Sequence, residues 1–313
     1  MMTSSRRAFL KLGASAVPAL ALGPLLRAET PAAGQVKQKT QFQIACMTLP
    51  YAQFALSQAL EGIRAAGYKF VAWGTTHKEA DGTTAPVLAP DAPPEKARAL
   101  GEKCRDLGLE PVLMFSGIYP EAPNALEVFE NRIRQAAAAR VPQVLTFGHT
   151  EGSARKIWVE RFKQLGPIAR DNGVLLVVKQ HGGNTGTGAV CAEIIREVAD
   201  EGVKVNYDGG NVMDYLRVDP IKDIHKCAAE VRSFCIKDHR TFPKDEDCGP
   251  GLGEIDHYRL LDPVAFTGLT MPLCCENIFA PALRRPADPS EVDALARRAR
   301  EFLELVIRGL QTA

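Results

Sequence analysis

Four segments of the sequence pass from an apolar run straight into side chains that can bind ions, donate hydrogen bonds or carry protons. They are Val178-Lys179-Gln180-His181-Gly182-Gly183-Asn184, Tyr207-Asp208-Gly209-Gly210-Asn211, Cys235-Ile236-Lys237-Asp238-His239-Arg240 and Cys275-Glu276-Asn277. His181, Asp208, His239 and Glu276 would give two imidazoles and two carboxylates, a donor set suited to Mn²⁺, Co²⁺, Zn²⁺ or Mg²⁺. A divalent ion on a carbonyl and its neighbouring hydroxyl polarises both and lowers the cost of an enediolate. A carboxylate or amine then moves the proton on the adjacent carbon. Glu276 carries such a carboxylate and Lys179 such an amine. His149, Asn211, Lys237 and Arg240 are candidate contacts to substrate hydroxyls. Lys179 would serve as a base if an ion or Lys237 depressed its pKa, and as a hydrogen-bond donor if it stayed charged; the residue types leave both open. Lys237 beside Asp238 also reads as an ion pair at a strand mouth.

These segments need elements that bring them to one place. Short β-branched or apolar runs recur at Phe42–Met47, Lys69–Trp73, Glu110–Phe115, Gln143–Phe147, Val174–Val178, Val203–Tyr207, Val231–Lys237 and Pro272–Cys275. Between them, stretches such as Phe54–Ala66, Pro94–Leu107 and Leu126–Ala139 carry apolar residues at three- and four-residue spacing. Gly67, Gly108, Gly173 and Gly202 precede strands, where a left-handed helix stop is expected. Eight strand–helix units in this length predict a parallel (β/α)₈ barrel, as one domain over 34–313. An open doubly wound sheet would show a glycine fingerprint after its first strand, and Thr48-Leu49-Pro50-Tyr51 has none. In such a barrel chemistry sits where strands end, the position all four polar segments share. Alternation along the seventh strand points Phe234 and Ile236 at the helices and Cys235, Lys237 and His239 inward.

At these residues the chain resembles the xylose isomerase-like family of sugar isomerases and epimerases, from about residue 42 to 308. In that family a Glu ends the fifth strand, an Asp the sixth, a His the seventh and a Glu the eighth, and together they hold a divalent metal. Asp208 and Glu276 match. Gly249-Pro250-Gly251-Leu252-Gly253-Glu254-Ile255-Asp256 is similar to the family's glycine-rich turn after strand seven. Lys179 stands at the fifth-strand Glu position and Cys235 at the seventh-strand His position. A protonated lysine cannot ligate a metal. Either His181 and His239 replace the missing ligands from two and four residues further on, or metal binding is weakened or lost. The resemblance implies a sugar isomerase or epimerase in which Glu276 does part of the proton work that two glutamates share in the family, with Lys179 standing where the other would be. A lyase or dehydratase on a keto-sugar and a non-catalytic sugar-binding barrel are the alternatives.

Other residues carry weaker expectations. The Gly182–Gly188 loop suggests a mobile substrate loop, or amides that cradle an anion. Trp73 and Phe115 read as core or as a sugar-stacking wall, His77 is a lesser lining candidate, and His225 and His257 read as surface residues. The eight cysteines show no metal-binding spacing and read as small buried hydrophobes.

The chain has 313 residues, 38 Lys+Arg and 37 Asp+Glu, a formal charge of +1. Residues 1–33 resemble a twin-arginine export signal, with Arg6 and Arg7 ahead of an apolar stretch broken by Pro18, Gly23 and Pro24. That stretch is too short and interrupted for a permanent anchor. Export to the bacterial periplasm by the twin-arginine machinery is therefore expected. Removing residues 1–28 takes Arg6, Arg7, Lys11 and Arg27 and no acid, leaving 34 against 37, or −3. Mild acidity argues against nucleic acid and for a small sugar or keto-sugar partner. An apurinic-site endonuclease would also need more His and Glu ligands than are present. A homo-oligomer remains open.

Overall fold

The computed structural model describes residues 38–152, 154–281 and 285–312, so the twin-arginine segment lies outside the described residues. Eight parallel strands close a barrel: β1 (Gln41–Met47), β2 (Phe70–Trp73), β3 (Glu110–Phe115), β4 (Gln143–Phe147), β5 (Leu175–Lys179), β6 (Val203–Tyr207), β7 (Val231–Ile236) and β8 (Thr270–Cys275). Each coincides with an expected run to within two residues. The surrounding helices are α1 (Leu56–Ala65), α2 (Pro94–Asp106), α3 (Ala125–Ala139), α4 (Arg155–Asp171), α5 (Gly188–Val198), α6 (Gly209–Leu216), α7 (Pro220–Ile224), α8 (His257–Leu261) and α9 (Pro289–Gln311). Among the described residues no helix is long and apolar enough to cross a membrane.

The two-residue alternation of the strands builds two cores. Met47, Ala72, Leu113, Val177, Cys235 and Cys274 fill the barrel, while Phe234 and Ile236 belong to the layer between strands and helices. Each fully buried Met, Leu or Val contributes about 1.5–3 kcal/mol. All eight cysteines are buried and unbridged, consistent with their reading as small apolar residues. Pairing aligns Phe147 with Lys179 and Lys179 with Asn206, which levels the C-terminal strand ends that carry the polar segments.

Gly67, Gly108 and Gly173 adopt positive φ before their strands, as expected. Gly202 does not. Ala199 takes the left-handed position after α5, and Gly202 is small because a Cβ there would run into the Gly166 carbonyl of α4.

Two hairpins interrupt the βα units, Thr76–Lys78 with Thr84–Pro86 and Asp238–Arg240 with Glu246–Cys248. The second begins two residues after β7, so the inward alternation of that strand ends at Lys237. Asp238 organises this turn rather than pairing with Lys237. Its carboxylate accepts the amides of His239 (2.9 Å), Gly251 (3.0 Å) and Ile255 (3.0 Å).

Candidate active site at the barrel mouth

Lys179 is the last residue of β5, and Asp208, Lys237 and Glu276 are each the first residue beyond β6, β7 or β8. Level strand ends therefore bring two ammonium groups and two carboxylates to one point. Lys179 Nζ donates to Glu276 Oε1 at 2.5 Å and lies 3.4 Å from Asp208 Oδ2. Lys237 Nζ lies 3.2 Å from Glu276 Oε2, 3.7 Å from Asp208 Oδ2 and 2.8 Å from Asp247. Asn211 Oδ1 accepts from Lys237 Nζ at 2.6 Å, while Asn211 Nδ2 donates to the Gln180 carbonyl. Asp208 Oδ1 caps α6 by accepting from the Asn211 amide, and its Oδ2 makes no hydrogen bond and faces the two ammoniums.

The two glycines of Asp-Gly-Gly-Asn make this packing feasible. A Cβ on Gly210 would stand 2.7 Å from Lys237 Cγ and 2.8 Å from its Cε, so the lysine stem lies against bare backbone.

Burial alone would lower the pKa of Lys179 and Lys237, but the facing carboxylates outweigh it and hold both above the ordinary lysine value. Burial would likewise raise Glu276, but the two lysines hold it well below the usual carboxylate range. Asp208 is fully enclosed; desolvation prevails there over the lysines and lifts it to about 7. This environment favours the charged form of Lys179, a hydrogen-bond donor, over the neutral amine.

The four residues expected to share an ion do not converge. His181 Nδ1 donates to the Gly148 carbonyl at 2.8 Å, leaving Nε2 to accept from Tyr215 Oη at 3.3 Å. Burial lowers its pKa and favours that neutral form. His239 is carried away on the hairpin, its two ring nitrogens 3.0 Å from Asp247 and 2.8 Å from Asp245. The hairpin turn breaks the alternation that would have aimed it inward. Arg240 forms an ion pair with Glu246 across the same hairpin instead of facing the cavity. His149 is exposed and stacks on Tyr119, with ring centroids 3.8 Å apart. His77 is buried against the Phe54 carbonyl, and His257, expected at the surface, is buried beside the Lys237 carbonyl.

A cavity of about 220 Å³ opens over this cluster, lined by Lys179, His181, Asn211, Tyr215, Lys237, Asp247, Glu276, Asn277, Phe279 and Arg285. Asp247, Tyr215 and Arg285 were not foreseen, because they lie on a hairpin, a helix and a loop that no strand-end rule addresses. Phe147 adjoins the cluster, with Lys179 Nζ 5.3 Å from its ring centre, and with Phe115, Ile118 and Tyr119 it lines a neighbouring hollow of about 200 Å³. Trp73 is buried and borders a separate depression. A larger hollow, about 400 Å³, lies at the opposite end of the barrel, where Arg300 is already paired with Glu304. It gathers no comparable set of convergent groups. Where the Gly182–Gly188 loop enters α5, Asp223 already occupies the Gly188 and Ala189 amides, so those two do not serve as an anion cradle.

Among the described residues two groups of three side chains could offer ligands to an ion: Asp208, Cys235 and Glu276, and Asp214, His239 and Asp245. The first does not suit a divalent metal as arranged. Burial pushes the Cys235 thiol well up, and a soft sulfur donor is a poor match for a hard ion such as Mg²⁺ or Mn²⁺. The carboxylate oxygens that would ligate are engaged by ammoniums at 2.5–3.7 Å. Two unit charges of like sign 4 Å apart repel by about 4 kcal/mol at an effective dielectric constant of 20. In the second group Asp245 is already paired with Arg217.

A family model described as xylose isomerase-like TIM barrel matches residues 60–305. The chain belongs to that family. Its fold is similar to that of an L-ribulose 3-epimerase (TM-score 0.65, 17% identity, covering 86% of this chain and 95% of that one). It is also similar to a D-psicose 3-epimerase from Clostridium cellulolyticum H10 solved with D-tagatose (TM-score 0.62, 14%, 85% and 99%). A xylose isomerase-like TIM barrel protein from Mycobacterium smegmatis, solved in complex with magnesium, resembles it equally (TM-score 0.66, 17%, 87% and 97%). No curated protein matches the chain.

Proposed function

We propose that this protein is an exported sugar isomerase or epimerase that moves a proton beside the carbonyl of an unphosphorylated sugar or keto-sugar. The observation that carries the reading is the convergence of Lys179, Lys237 and Glu276 on one cavity at the strand ends. Developing negative charge on the two oxygens of an enediolate would meet two fixed ammoniums in a site largely withdrawn from water, where such stabilisation is strongest. Glu276 is the proton carrier. When a substrate oxygen takes over one of its lysine hydrogen bonds, the pairing that holds Glu276 low weakens and its basicity rises. Asn211 fixes Lys237, and Asp208 balances both lysines from below. The Phe147–Tyr119 side supplies an apolar wall for the carbon–hydrogen face of a sugar. The Mn²⁺, Co²⁺, Zn²⁺ or Mg²⁺ expected from the sequence has no part in this reading, because the ammoniums engage the carboxylates it would need. Support for export comes from the Arg6-Arg7 leader, and for a neutral sugar from the mild acidity of the mature chain.

Deuterium uptake from solvent into candidate keto-sugars, followed by NMR, tests the reaction. The mature protein should catalyse exchange at the carbon beside the carbonyl, and Glu276→Gln should slow it by about 10²-fold or more. Absence of exchange with every keto-sugar tried would favour a binding role and sink the isomerase.

A further inference from the structure

We propose that the ammonium groups of Lys179 and Lys237 stand in for a divalent cation, so that this barrel holds its anionic intermediate without metal. The first ground is charge. Two ammoniums facing Asp208 and Glu276 supply the two positive charges that one divalent ion would bring to the same carboxylates. The second is position. Both nitrogens lie within 3.7 Å of Asp208 Oδ2, the buried oxygen without a hydrogen bond, and each reaches a different oxygen of Glu276. The third is that the arrangement is built into the backbone. Gly210 leaves room for the Lys237 stem and Asn211 holds its head at 2.6 Å. An ion bound 2.0–2.6 Å from these carboxylate oxygens would have to displace both lysines.

The catalytic consequence rests on the reading of this cavity as an enediolate-forming site, but the charge substitution is measured without any substrate. Purified mature protein is analysed for metal by mass spectrometry, and its thermal midpoint is followed with EDTA and with Mn²⁺, Mg²⁺ or Zn²⁺ alone. The expected result is metal far below one ion per chain and a midpoint that moves with none of these. Lys179→Glu, which removes one ammonium and adds a carboxylate beside Glu276 and Asp208, should then bind Mn²⁺ stoichiometrically by calorimetry, with a midpoint raised by the ion. A stoichiometric ion in the unaltered protein, lost in Asp208→Ala, would overturn the proposal. So would a folded Lys179→Glu that binds no ion. Should Lys179→Glu fail to fold by circular dichroism, Lys237→Glu is measured the same way against the same two outcomes. A bound ion would leave the isomerase reading standing, whereas metal-free protein without exchange activity would sink that reading alone.

Discussion

Lys237 is held by a neighbour that has no side chain at all. Its stem crosses Gly210 at distances a methyl group would close to 2.7–2.8 Å, so Gly210→Ala must move the lysine. The stem is flexible, and the cost should appear in function rather than in folding. The expected outcome is a reduced kcat/KM for proton exchange with a thermal midpoint close to that of the unaltered protein. A fully active Gly210→Ala would show that the position of Lys237 is immaterial. Glu276 is different in kind, because removing it leaves two buried ammoniums short of a partner. Breaking a buried ion pair from one side costs about 3–5 kcal/mol. This is why Glu276→Gln, which keeps the shape and one of the two acceptor oxygens, is the better probe of chemistry than Glu276→Ala.

The hairpin after β7 shows how an element redirects residues whose types promise something else. Alternation along β7 held for Cys235, which faces the barrel interior, and for Lys237, which reaches the cavity. It failed for His239, because Asp238 gathers three backbone amides and turns the chain out of the barrel. Asp247 arrives at Lys237 only because that hairpin pairs it opposite His239. Asp238→Ala should leave those amides without an acceptor, a loss of about 1–3 kcal/mol for each buried group left unpaired. Faster hydrogen exchange at the Gly251 and Ile255 amides, together with a lower urea midpoint, is the expected signature. Unchanged protection at both positions would refute the assigned role. The loop before α5 carries the opposite lesson. Its glycines suggest an anion cradle, yet Asp223 supplies the negative charge from within the chain.

For the molecule as a whole, the buried charge cluster sets a pH signature. Glu276 is depressed in the folded state, so its contribution is full above the unfolded value of about 4.3 and is lost as pH falls below it. Lys179 and Lys237 are raised, so theirs is full below about 10.4 and is lost as pH climbs through the folded values. Asp208 works against folding. Raised to about 7, it keeps a proton that the unfolded chain has already released, so stability declines with rising pH between about 3.9 and 7. Urea midpoints across pH should therefore fall at both extremes and slope down through the acid-to-neutral range. Asp208→Asn should abolish that slope, and a slope that persists in the variant would disprove the assignment.

Much of this protein was determined by its sequence alone. Periodicity placed eight strands and their helices, because side-chain alternation is a local consequence of which face is buried. The strand ends then marked His181, Asp208, His239 and Glu276 as a set that could meet, with Lys179 and Lys237 on the same faces. Membership of the family was legible in Asp208, Glu276 and the turn beginning at Gly249. The partners of these side chains were decided only by the tertiary structure. Whether Lys179 is a base or a fixed cation depends on carboxylates 29 and 97 residues away in the chain. Whether His181 and His239 reach the site depends on a loop and a hairpin whose paths follow from hydrogen bonds to Gly148 and Asp238. Charge state in a buried site is a sum over neighbours in space, and a sequence names those neighbours without stating their distances.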